Sequence, residues 1–155
     1  MNKNISNLHL DILDNKRQEL LHKLLPFTKE NIKVTLLCYP FKDLYAYEEL
    51  EEGLRLCSIK DIAIKKAYTI GRRGEYRDYF DLYTILKNKE ITLSDLITDA
   101  KNVYGSIFEE KIFLQQLVYF DDLLNFEIIS INSQPIPTKE DIKQFFEELV
   151  GKYTK

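Results

Sequence analysis

Ser58 to Tyr83 read SIKDIAIKKAYTIGRRGEYRDYFDLY, and the charges in this stretch fall where a helical core wants hydrophobes. At about 100° per residue, Ile62, Ala63, Ala67 and Ile70 share one arc, with Asp61, Lys65 and Arg72 clustered opposite. Lys66 and Arg73 lie inside the apolar arc. The following segment repeats the pattern with acids: Asp78 projects between Leu82 and Ile85, and Asp81 is its i+3 neighbour. Charges at core-facing positions are costly unless paired. An antiparallel pair of helices across the Gly71–Gly74 turn brings Lys66 and Arg73 toward Asp78 and Asp81. Two readings are open. One is a structural ion network, with Arg77 on Asp81 at i+4 and Lys66 or Arg73 on Asp78. The other is an anion-binding site whose acids orient the basic groups or take a proton.

Around this stretch the pattern is helical on the C-terminal side. Ser58 with Asp61 has the form of a capping box, which starts a helix at Ile59. A second helix is predicted over about Glu75 to Lys87, and a third from Thr92 with Asp95 to Gly105. A fourth covers about Phe108 to Leu124, an extended piece Phe126 to Pro137, and a last amphipathic helix follows the Thr138–Asp141 cap. On the N-terminal side, Asp14 caps a leucine-rich helix that Pro26 stops. Ile32 to Tyr39 is the best strand, Leu54 to Cys57 a shorter one, and Phe41 to Glu52 an acidic connector.

The 155 residues suit one ordinary domain or a small domain with an appendage. A net charge of -3 argues against a nucleic-acid binder that works by bulk attraction. Cys38 and Cys57 sit in apolar strand-like contexts and are expected as buried reduced thiols; with no CxxC or Cys/His cluster, no zinc site is expected. No apolar run approaches the roughly 18 residues of a membrane span, and no hydrophobic leader opens the sequence, so a cytoplasmic protein is expected. His22 reads as a helix-surface histidine. Arg55, Lys60, Lys65 and Arg72 offer a basic face for RNA or, more simply, a solvated helix surface.

The pattern D-I-A-x-x-K, then R-G-x-x-R-D-x-x-D-L-Y, resembles the C-terminal motifs of the AbiEii/AbiGii nucleotidyltransferase toxin family. Asp61, Ile62, Ala63, Lys66, Arg73, Gly74, Arg77, Asp78, Asp81, Leu82 and Tyr83 match it in register. The Tyr39-Pro40 strand end, the Leu117–Asp122 segment and the closing helix fit as well. The resemblance implies a nucleotidyltransferase-like fold, transfer of a nucleotide from an NTP onto RNA or protein with Mg²⁺, and a cognate antitoxin as partner. It makes Lys66 a phosphate contact and Asp78 a candidate base or positioning acid. Arg73, Arg77 and Asp81 then shape the same site.

Two further motifs of that family are missing. One is a Gly-Gly or Gly-Ser turn whose N–H groups hold the triphosphate. The other is an Asp-x-Asp on a strand that holds Mg²⁺. The first glycine is Gly53, Asp11 and Asp14 have the wrong spacing for one strand face, and Thr35 stands at the centre of the predicted strand. Phosphoryl-type transfer rests on positioning and charge neutralisation, so the chain is expected to be catalytically impaired alone. The expected fold class is α+β: a reduced nucleotidyltransferase-like part over residues 1–57 and a mostly helical part over 58–155. Exposed strand edges favour a homodimer or a complementing chain. The alternative function is a non-catalytic interaction or regulatory module, with RNA binding as a variant.

Overall fold

Short caps and one apolar stripe per segment build the helical part. The computed structural model describes residues 39–50, 53–70, 72–73, 75–123, 126–128 and 135–155. The chain divides into two compact units, Met1–Pro40 and Phe41–Lys155. The predicted first helix, Cys38 and nearly all of the predicted Ile32–Tyr39 strand lie outside the described residues. The charged stretch from Ser58 to Tyr83 belongs to the second unit.

This second unit is α+β and mostly helical. Among the described residues β1 (Glu48–Glu49) and β2 (Arg55–Leu56) form an antiparallel two-strand ladder, Glu48 opposite Leu56 and Glu49 opposite Arg55. Five α-helices come after them among the described residues: α1 (Ile59–Ile70), α2 (Tyr76–Lys87), α3 (Leu93–Tyr104), α4 (Glu110–Val118) and α5 (Lys139–Tyr153). No described helix is long and apolar enough to cross a membrane.

The caps act where their residues predict. The Ser58 hydroxyl accepts from the Asp61 N–H at 3.0 Å, Thr92 accepts from the Asp95 N–H, and Thr138 with Asp141 makes a full capping box. Each satisfies N–H groups that the first turn leaves without a helical partner. α3 ends at Gly105, whose φ of 56° a β-carbon would oppose.

α1 is the central helix, packing on α2, α3 and α4, while α5 closes over α2 and α4. Its buried side is Ala63, Ile64, Ala67 and Ile70, with Ile62 only half-buried. The small Ala63 and Ala67 let α2 and α3 approach closely. Tyr79, fully buried, donates to the Gln116 carbonyl of α4 and sets its ring edge-on against Phe120 and Phe146. Tyr104 stacks on Tyr68 with ring centroids 4.2 Å apart, and Phe41 meets both edge-on. Aromatic pairs of this kind add about 0.5–1.5 kcal/mol beyond their burial.

Three expectations differ from the observed elements. The acidic connector contains β1, although Glu-Glu has low strand propensity. The predicted fourth helix is shorter, Glu110–Val118, preceded by a 3₁₀ turn over Gly105–Ile107. Tyr119 leaves the helical region so that Phe120 and Leu123 can turn into the core, where both are buried. Cys57 is half-buried rather than buried.

Candidate functional site

Asp78 is the centre of the charged cluster. It lies in the first turn of α2 on the face that carries Leu82 and Ile85, and its side chain is 0% exposed. Lys66, just before the last turn of α1, donates to Asp78 Oδ1 at 2.9 Å. Arg73 donates to the same carboxylate from two nitrogens, Nε to Oδ2 at 2.9 Å and Nη2 to Oδ1 at 3.2 Å. Burial alone would push the Asp78 carboxyl up. The hydrogen bonds from Arg73 and Lys66 outweigh it and hold the group below the ordinary carboxylate value. A buried carboxylate bound by three N–H groups is a rigid anchor for two cations.

Lys66 also donates to Asp81, one turn along α2. Burial works against the Lys66 ammonium, but Asp81 and then Asp78 more than offset it, so its pKa is raised. Asp81 is 44% exposed, and Arg73 is 54% exposed with its outer edge to water. Lys66 thus sits on the border of the buried face of α1, not at its middle, because that face turns toward Ile64.

Local geometry corrects two expectations. Arg73 does not belong to the helix onto which periodicity projects it: α1 ends at Ile70, and Arg73 reaches back from the connection. Arg77 pairs with Glu75 at 3.2 Å instead of with Asp81, whose carboxylate Lys66 holds. Lys66, Arg73, Asp78 and Asp81 are therefore brought together, and Arg77 stands apart on the exposed side of the same first turn.

Helical projection puts Asp61 among the solvated charges, yet it is 2% exposed. Its two oxygens accept from the Leu44 N–H at 2.8 Å and the Tyr45 N–H at 3.0 Å, which fold the connector over the start of α1. Periodicity carries no signal for this, since the covering backbone comes from outside the helix. The basic face is likewise committed: Arg55 lies over Tyr47, Lys60 over Tyr45 and Arg72 over Tyr68. Lys65 bridges Asp43 and the Cys57 thiol, 3.0 Å from its sulfur.

Asp43, Cys57 and Asp61 place ligand-type atoms within 4.8 Å of one another. The Lys65 ammonium already supplies the positive charge there, and Asp61 is taken up by backbone N–H groups. In the main cluster both carboxylates are engaged by cations, so the cluster does not fit a magnesium ion. Of its two cations only Arg73 is more than half exposed.

A sequence model of the family described as "Nucleotidyl transferase AbiEii toxin, Type IV TA system" matches residues 37–155, which include Lys66, Arg73, Arg77, Asp78 and Asp81. The "Uncharacterized protein aq_aa25" of Aquifex aeolicus (strain VF5) is 29% identical over 128 residues, 82% of this chain and 60% of that relative. The chain thus spans about 60% of the length of the curated relative it matches. No solved structure matches it.

Proposed function

Because the chain belongs to the AbiEii nucleotidyl transferase toxin family, we propose that it is a toxin component of a toxin–antitoxin pair and that Phe41–Lys155 supplies the cationic, phosphate-facing half of its nucleotide site. The observation that carries this reading is the buried Asp78 holding Lys66 and Arg73 at the spacing of the family motif. Lys66 contacts a phosphate oxygen of the NTP, and Arg73 neutralises a further part of the polyphosphate. Asp78 fixes the cations; full burial between two of them leaves it no proton to take.

Nucleotide transfer in such a site uses Mg²⁺ held by carboxylates. The 155 residues contain no Asp-x-Asp, so the metal-holding groups come from outside them, as from a complementing partner. The chain on its own then performs no transfer, and works in the cytoplasm beside a cognate antitoxin. We also propose self-association through the exposed ladder of β1 and β2.

The test is an NTP-transfer assay with labelled nucleotides, tRNA and total protein as acceptors, alone and with the neighbouring gene product. Transfer is expected only with the partner, and Lys66→Ala abolishes it. Transfer by the chain alone would overturn the impaired reading. A second reading, a non-catalytic regulatory module, draws support from the engagement of both cluster carboxylates by cations. It prevails if no transfer occurs under either condition.

A further inference from the structure

The two acids on Lys66 are held very differently. Asp78 accepts three hydrogen bonds and is sealed from water, whereas Asp81 is nearly half exposed and has its one described hydrogen bond with Lys66. With two cations and two carboxylates the cluster has no net charge. An arriving polyphosphate therefore has to displace one acid before Lys66 can serve it. Displacing Asp78 strands a buried charge. Displacing Asp81 returns a surface carboxylate to water at little cost.

We propose that Asp81 occupies, in the unliganded protein, the place on Lys66 that a phosphate oxygen takes when a polyphosphate binds. Asp81 is thus a competing anion, and Asp78 the anchor that keeps Lys66 and Arg73 aimed at the ligand. The inference rests on the phosphate-binding reading and deepens it, by giving the two acids opposite effects on affinity. In this arrangement Lys66 is held in place before the ligand arrives, so the ligand trades one carboxylate for one phosphate oxygen. The outer edge of Arg73 takes a second oxygen without any exchange.

Calorimetric titration of the full chain with inorganic triphosphate, without metal, tests this. Asp81→Asn is expected to tighten binding about three- to fivefold, the worth of one partly exposed ion pair, with an unchanged melting temperature. Asp78→Asn is expected to weaken binding at least about tenfold and to lower the melting temperature. Glu147→Gln, the same change in net charge at an exposed position on α5, is expected to leave affinity unchanged. Weaker or equal binding in Asp81→Asn would overturn the inference, as would equal tightening in Glu147→Gln. No triphosphate binding by the wild type and Asp81→Asn would overturn it together with the phosphate reading. Tightening in Asp81→Asn with no nucleotide transfer under any condition supports it and removes only the transferase activity.

Discussion

Asp78 also contributes to the response of the protein to acid. Its carboxyl titrates below the ordinary value of 3.8 in the folded state, so the unfolded chain binds its proton first as pH falls. Its contribution is complete above about pH 4 and is lost as pH falls through the lowered folded value. Asp78→Asn is expected to cost roughly 3 kcal/mol at neutral pH and to flatten the acid limb of a stability-versus-pH curve, as followed by urea unfolding. Lys66 acts at the other end, its raised pKa protecting its pairing until pH rises past the ordinary lysine value. At this scale the sequence is legible where a charge sits on an apolar stripe, as Asp78 does. It is opaque for Asp61, whose burial is made by the backbone of Leu44 and Tyr45, and for Arg77, whose partner is a neighbour two residues away.

The helix ends are the most legible elements, because a cap is a local event: Ser58, Thr92 and Thr138 each announce a start that hydrogen bonds then realise. The two-residue strands are less so, since their pairing depends on tertiary context and not on their own propensity. The exit of α2 holds a less obvious feature. The Lys89 N–H bonds the Leu86 carbonyl and the Glu90 N–H the Ile85 carbonyl, the pattern of a Schellman end. Lys89 stands at the left-handed position with φ 61°, where glycine is favoured. Lys89→Gly is expected to raise stability by about 0.5–1 kcal/mol. The check is a higher denaturant midpoint with an unchanged slope.

Across the whole molecule the described interior leaves no buried side-chain nitrogen or oxygen without a partner, while its surface around the ladder is unusually apolar. Leu44, Tyr47, Leu50, Leu56 and Ile59 are all exposed there, and among the described residues the two-strand ladder has no further strand on either edge. Self-association through this face predicts twice the monomer mass by light scattering at micromolar concentration, reduced to the monomer by Leu56→Lys. A monomer in the wild type would count against it. The overall class, helical with a small sheet, follows from periodicity and caps. The meeting of Lys66, Arg73, Asp78 and Asp81 is visible in the sequence as charges on apolar arcs that face each other across a short connection; which cation holds which acid is not, because Arg73 reaches Asp78 from beyond the end of α1.

The hydrogen bonds that Leu44 and Tyr45 donate to Asp61 join positions 17 and 16 residues apart and so close the ladder into a ring at the base of α1. Once such a ring is shut at its neck, doubling its length costs only about 0.6 kcal/mol. The segment between Tyr45 and Ser58 is therefore a cassette, free to lengthen, shorten or change its tip while the helices below keep their register. Variation among relatives has room to accumulate there without disturbing the cations held by Asp78.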